Sequence, residues 1–182
     1  SHSHKRATER AKETLDILAN DGLHYDLVLL LQGDEPQIFP EDIGNLKQVF
    51  SNKELEVVNL VFPISGDDLE DPNVVKVALD KNLTIHFFSR SHIPHDCTNG
   101  YRQLGMIGLT NKALNDYVSL LPTALEEVES IDMMRLIEND FSIQGVLSTS
   151  PILGVDTPQD LKKVEKIMMN DKFVNLYKEK YI

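Results

Sequence analysis

Two carboxylates stand where apolar or glycine-containing segments give way to turns, and both suit a hard divalent cation. Asp34 closes Leu27-Val28-Leu29-Leu30-Leu31-Gln32-Gly33-Asp34, whose five consecutive apolar residues read as a short strand buried on both faces, as in the middle of a parallel sheet. Ligands collect beyond the carboxyl ends of such strands. Gly33 would admit a ligand close to the backbone, and Asp34 would offer an oxygen donor of the kind Mg²⁺ prefers. The alternative is an ordinary Gly-Asp turn. Asp156 lies in Gly154-Val155-Asp156-Thr157-Pro158-Gln159-Asp160, where Thr157 suits an N-cap, Pro158 the first helical position and Asp160 the far side of a capping box. Asp156 is left at the lip, as a further cap or as a metal ligand. Three more acids, Glu126, Glu129 and Asp132, recur at helical spacing, which marks either a solvated helix face or the lining of a polar ligand site. His95 and Cys97 share a polar loop, but with no second cysteine nearby they read as loop residues, not as a metal pair.

The elements that must position these groups follow from periodicity and punctuation. Ala7 to Asn20 is an amphipathic helix ended by Gly22, and Pro40-Glu41-Asp42 opens a second helix reaching about Phe50. Glu56 to Phe62 is an apolar strand closed by Pro63. Val74 to Leu79 and Leu83 to Phe88 form a hairpin around Asp80-Lys81-Asn82. After a loop from Ser89 to Tyr101, Leu104 to Leu109 is a strand with two glycines, which often mark close approach of a ligand or another backbone. Asn111 to Leu120 is a helix, and Thr123 caps another that carries Leu125, Val128, Ile131, Met134 and Leu136. Ser142 to Leu147 is a further strand. A helix to about Met169 follows, and the Lys-rich tail ending in Ile182 reads as a last one.

Composition narrows the function classes. The chain of 182 residues is 41% hydrophobic and 26% charged, which suits one compact globular domain with its own core. Eighteen basic against twenty-nine acidic residues give a formal charge of −11, which disfavours a nucleic-acid polymer or an anionic membrane as partner. The single cysteine, Cys97, excludes an intrachain disulfide framework. No apolar run approaches the ~18 residues of a membrane span and no signal-peptide core opens the chain, so membrane insertion is not expected and the cytoplasm is the expected compartment.

Taken together, the motifs resemble one family. Gln32-Gly33-Asp34-Glu35-Pro36, Asn73-Val74-Val75-Lys76-Val77, Phe88-Ser89-Arg90 with Ile93-Pro94, Leu104-Gly105 and Gly154-Val155-Asp156-Thr157-Pro158-Gln159-Asp160-Leu161 have the order and spacing of the 3-deoxy-manno-octulosonate cytidylyltransferases, or CMP-Kdo synthetases. His4, Thr8, Glu9 and Arg10 match that family's His-x-x-x-Thr-Glu-Arg segment. The resemblance implies an α/β, Rossmann-like, glycosyltransferase-A-like nucleotidyltransferase fold, with a central mixed sheet flanked by helices and an antiparallel hairpin extension. It implies attack of a 2-keto sugar acid on the α-phosphorus of CTP, giving CMP-sugar and pyrophosphate with Mg²⁺ as cofactor. Two carboxylates from distant parts of the chain suit that chemistry. By the same resemblance Asp34 and Asp156 are the catalytic metal ligands, and Arg10, Gly33 and Asp34 face the nucleotide. Gln32, Arg90, Gln103, Gly105, Glu126, Glu129 and Asp132 form the sugar-acid pocket, with Lys76 and Ser89 at motif positions that support loops. A homodimer formed through roughly Asn73 to Leu109, and a place in lipopolysaccharide or other surface-glycan synthesis, are implied as well.

Departures from the family pattern sharpen the alternatives. The pattern His-Leu-Gly-Ile-Tyr-Gly-Tyr is replaced here by Gln103-Leu104-Gly105-Met106-Ile107-Gly108-Leu109, and Met133 stands where glutamine is usual. These changes direct attention to a modified octulosonate or to a nonulosonate related to sialic acid. The family's opening strand and triphosphate-gripping loop have no counterpart in the first residues, so an N-terminally truncated domain is expected. A non-catalytic binding or dimerisation module is the alternative.

Overall fold

The computed structural model describes His4 and residues 6–174. Six strands form one sheet in the order β1-β5-β2-β6-β4-β3, with helices on both faces. The strands are β1 (Leu27–Leu31), β2 (Val57–Ser65), β3 (Lys76–Leu79), β4 (Thr84–Ser89), β5 (Asn99–Thr110) and β6 (Ile143–Leu147). The only parallel pair in this order is β2 with β6; every other pairing is antiparallel. The sheet is therefore mixed, as expected, but its centre is not where the first apolar run pointed. Among the described residues β1 is an edge strand, antiparallel to β5, with Leu30 buried and Leu31 42% exposed. The strand buried on both faces is β2, whose Val57, Val58, Asn59, Leu60 and Val61 are all inaccessible. Pro63 does not close β2. The parallel partner β6 reaches only to Val61, so beyond that point one side of β2 is an edge and a missing N–H costs no ladder bond.

Alternate residues of β2 feed two cores. Val57 and Val61 pack with Leu15 of α1 (Ala7–Asn20) and with Leu114 and Tyr117 of α3 (Asn111–Ser119). Val58 and Leu60 pack with Leu46 of α2 (Pro40–Val49), Met106 and Ile152. Burying each such aliphatic side chain is worth about 1.5–3 kcal/mol, which makes β2 the strand most expensive to disturb. Asn59 is the polar exception. Its Nδ2 donates to the carbonyls of Leu104 and Met106 at 2.9 and 3.2 Å, bridging a register shift between β2 and β5.

The hairpin of β3 and β4 forms where the sequence placed it. Asp80 Oδ1 accepts from the N–H groups of Asn82 and Thr84 at 2.8 and 2.9 Å and fixes the turn. The long helix expected after Thr123 is instead two short ones, α4 (Ala124–Glu129) and α5 (Met133–Ile137). Ser130 between them takes a left-handed conformation, φ 57°, which stops the first helix and turns the chain. The sequence spacing is helical across this break, so periodicity alone gave no sign of it. The last helix, α6 (Pro158–Met168), begins with the expected capping box: Thr157 Oγ1 accepts from Asp160 N, and Asp160 Oδ2 accepts from Thr157 N at 3.0 Å. The expected helix at the Lys-rich tail lies outside the described residues. Among those described, no helix is long and apolar enough to cross a membrane.

Candidate active site

The twelve-residue strand β5 changes neighbours along its length, and the site lies at the change. Its C-terminal half pairs with β1, from Met106 onward, and its N-terminal half pairs with β3 at Tyr101 and Arg102. Between them the strands diverge. Gln32 N donates to Gly105 O at 3.1 Å on the β1 side, and Gln103 N donates to Val75 O at 2.8 Å on the β3 side. The fork opens a cleft of about 470 Å³ whose floor is Arg102, Gln103 and Gly105.

The two aspartates reach this cleft from opposite ends of the chain. Asp34 sits in the turn after β1 and Asp156 in the loop before α6, and both are exposed and line the cleft. A main-chain bond, Val155 N to Asp34 O at 2.9 Å, ties the two loops together. Thr157, not Asp156, caps α6, so the Asp156 carboxylate is not spent on the helix. Neither carboxylate makes an ion pair among the described residues. No group of three or more His, Cys, Asp or Glu among those residues is arranged to hold a metal ion. Two carboxylates nevertheless fit Mg²⁺, which commonly takes one or two from protein and the rest from phosphate oxygens and water.

Between these aspartates lies a residue that the motif reading left without a role. Glu35 is 8% exposed, and its Oε2 accepts from Gly105 N at 2.7 Å. Burial pushes its carboxyl up to about 7; the Gly105 bond and the Arg102 charge oppose that rise, while Asp34 and Asp156 add to it. Gly105 must be glycine for this contact. A Cβ there would stand 2.9 Å from Glu35 Oε2 and from Gln32 Cγ.

The cations of the cleft are not equally available. Arg6, just before α1, donates from Nε to Glu126 Oε1 at 3.2 Å and from Nη2 to Glu126 O at 3.3 Å. Arg90 spends its guanidinium on main-chain carbonyls, Glu129 O at 3.1 Å and Pro72 O at 3.0 Å. Arg102 has no ion-pair partner among the described residues, and its buried Nε has no hydrogen-bond partner. Gln103 is oriented from below, its Nε2 donating to Asn59 Oδ1 at 2.6 Å. Buried Lys76 holds the rim, donating to Asp71 O and Arg90 O at 2.7 and 2.6 Å, and burial pulls its ammonium below the ordinary lysine range.

Of the pocket residues singled out from sequence, Gln32, Arg90, Gln103, Gly105 and Asp132 join the two aspartates in lining the cleft. Arg10 and Gly33 line an adjoining groove between α1 and β1, which shares Gln32 and Asp34 with the cleft. The three spaced acids part company. Asp132 lines the cleft and accepts from Thr8 Oγ1 at 2.7 Å. Glu129 lies beside it, its carboxylate accepting from Ser89 Oγ and Arg90 N, both at 2.9 Å. Glu126 is 1% exposed and is held by Arg135 Nε and Nη2, both at 2.7 Å. Burial raises the Glu126 carboxyl, but Arg135, the Thr123 N–H and Arg6 more than reverse this and leave it below the ordinary range. Glu126 and Glu129 therefore brace the cleft wall and do not face the cavity. Both precede the break at Ser130, which sets Asp132 apart from them. Glu35, Arg102 and Asn59 were missed; only Asn59, a polar residue inside an apolar strand, carried a legible signal.

Fold and site together define a nucleotidyltransferase of Rossmann-like type. A putative glucose-1-phosphate thymidylyltransferase from Bacillus anthracis shares the fold alone, with a TM-score of 0.63 at 17% identity over 93% of this chain and 63% of that one. The chain itself belongs to the cytidylyltransferase family, whose sequence model matches residues 1–146. It is 38% identical over 170 residues to the 3-deoxy-manno-octulosonate cytidylyltransferase of Chlorobium limicola, covering 88% of this chain and 67% of that protein. A CMP:2-keto-3-deoxy-manno-octonic acid synthetase solved in complex with CTP superposes with a TM-score of 0.78 at 29% identity, over 92% of this chain and 69% of that one.

Proposed function

We infer that this chain activates a 2-keto sugar acid, 3-deoxy-manno-octulosonate, with CTP, forming the CMP-sugar and releasing pyrophosphate. The observation that carries the reading is the pairing of Asp34 and Asp156 at one cleft through the Val155 N to Asp34 O bond, with the unpaired Arg102 on the cleft floor. Asp34 and Asp156 would hold Mg²⁺, which would neutralise phosphate oxygens and orient the attacking hydroxyl. Arg102 would take the sugar-acid carboxylate, because a buried guanidinium nitrogen without a partner is costly until an anion pairs with it. Gln103, fixed by Asn59, would orient the sugar hydroxyls, and Arg10 in the adjoining groove would face the nucleotide. Glu126, Glu129, Lys76 and Ser89 hold the walls in place. A homodimer formed through residues 73–109, a cytoplasmic location and a role in surface-glycan synthesis complete the reading.

The test is pyrophosphate release from CTP, Mg²⁺ and 3-deoxy-manno-octulosonate by this chain and by its Asp34→Asn and Asp156→Asn variants. Release that requires the sugar acid and falls at least ~100-fold in each variant is expected, with unfolding midpoints unchanged. Sugar-independent release, or full activity in either variant, would overturn the reading.

A further inference from the structure

Beneath the cleft floor, one buried amide decides which end of another meets the cavity. Asn59 is wholly inaccessible and lies where the register between β2 and β5 shifts: Asn59 faces Ile107, but Val61 faces Gln103. Its Nδ2 is 3.0 Å from Leu60 O, 2.9 Å from Leu104 O and 3.2 Å from Met106 O. Carbonyl oxygens only accept, so this amide cannot be turned over without setting Oδ1 against all three. Oδ1 is thereby left to face Gln103, whose Nε2 donates to it at 2.6 Å. The second amide inherits its orientation from the first. With Nε2 turned down to Asn59, Oε1 is the end that Gln103 has left for the cleft it lines, and it accepts no hydrogen bond among the described residues.

The other glutamine of the cleft is not set in this way. Gln32 makes no side-chain hydrogen bond among the described residues and can present either end of its amide. Gln103 is held at its main chain as well, its N–H donating to Val75 O at 2.8 Å. Exchanging the ends of its amide would lose the bond to Asn59 and place Oε1 against Asn59 Oδ1. Leaving that buried acceptor unpaired costs more than one neutral hydrogen bond to a ligand returns. A substrate must therefore adapt to Gln103, not the reverse.

We propose that Asn59 is a positioning residue that sets the hydrogen-bond polarity of the sugar-acid pocket. It keeps the Gln103 carbonyl oxygen toward the cavity, so that this position takes a hydroxyl donor of the substrate and rejects an acceptor-only group in its place. Given the sugar-acid reading of the cleft, on which this rests, one hydrogen bond acquires a direction, with the hydroxyl donating and Gln103 accepting. Arg102, beside it on the floor, is a donor only. The two neighbouring side chains thus ask for opposite groups, an anion at one and a hydroxyl proton at the other.

The experiment is pyrophosphate release with 3-deoxy-manno-octulosonate and with derivatives in which each hydroxyl other than the anomeric one is replaced in turn by hydrogen or by fluorine. Hydrogen removes the bond, whereas fluorine sets an acceptor against Oε1. At one hydroxyl, kcat/KM should fall roughly tenfold for the deoxy compound and roughly tenfold further for the fluoro compound. In Gln103→Met the extra penalty of fluorine at that hydroxyl should shrink to what the other hydroxyls show. A folded Asn59→Leu, which frees the Gln103 amide to turn, should do the same; loss of packing alone would slow every compound alike and leave the ratio unchanged. No release with the parent sugar acid would overturn the reading of the cleft and this polarity with it. Release with the parent compound, but no hydroxyl at which fluorine is worse than hydrogen, would overturn the polarity alone. So would a fluorine penalty that survives in Gln103→Met or in a folded Asn59→Leu.

Discussion

Replacing Glu35 by glutamine should change how stability depends on pH, by an amount the structure sets. Burial raises the Glu35 carboxyl from 4.5 to about 7, so between those values the folded chain holds a proton that the unfolded chain has released. Native stability is therefore full below pH 4.5, falls as pH rises through the window and levels off above about 7. At about 1.4 kcal/mol per pH unit, the loss is about 3 kcal/mol. The amide of Glu35→Gln would keep an acceptor for Gly105 N and carry no charge, so the variant should lack this component. Urea unfolding of both proteins at pH 5 and pH 8, with chelator to exclude divalent cations, is the measurement. The wild-type midpoint should fall by on the order of 1–2 M more than that of Glu35→Gln, given ordinary urea slopes. Parallel shifts in the two proteins would refute the reasoning, because titrations elsewhere are common to both and cancel in the comparison.

Glu126→Gln should cost about 3 kcal/mol, because Arg135, 3% exposed, would lose its two-bonded charged partner and keep only Glu9 at 3.7 Å; a thermal midpoint lower by on the order of 10 °C is expected, and exchange of both residues for apolar ones should recover much of it. Gly105→Ala should cost about 1–3 kcal/mol in urea unfolding, since the new Cβ would meet Gln32 Cγ and Glu35 Oε2 at 2.9 Å. Arg102→Met should raise the KM for the sugar acid roughly tenfold or more while leaving that for CTP nearly unchanged; equal changes in both would remove Arg102 from carboxylate recognition.

How much of this was legible depended on whether the signal was local. The Asp80 turn, the Thr157 capping box and the hairpin are decided within a few residues, and the chain behaves there as its residue types dictate. Strand neighbours are not decided locally. Leu27–Leu31 is apolar on both sides because α1 packs under Leu30 while Leu29 meets the cluster around Leu46, and neither fact says which strand lies beside it. The placement of β1 at an edge, antiparallel to β5, comes from the long β5, which a loop reading of residues 89–101 had shortened.

The same distinction explains the site. A carboxylate after a strand and another before a helix are visible as motifs, but their meeting depends on the bond between Val155 N and Asp34 O, made across some 120 residues of chain. Conversely, Glu126, Glu129 and Asp132 share a helical spacing and still diverge, because one left-handed residue, Ser130, redirects the chain between the second and third. Charge cannot be read from type alone either. Three arginines reach the cleft, and their sequences give no reason to rank them. Arg6 is consumed by Glu126 and Arg90 by two carbonyls, so Arg102 is left as the available cation. Which cation the cleft leaves without a partner among the described residues is thus decided by pairing elsewhere, which only the folded chain makes visible.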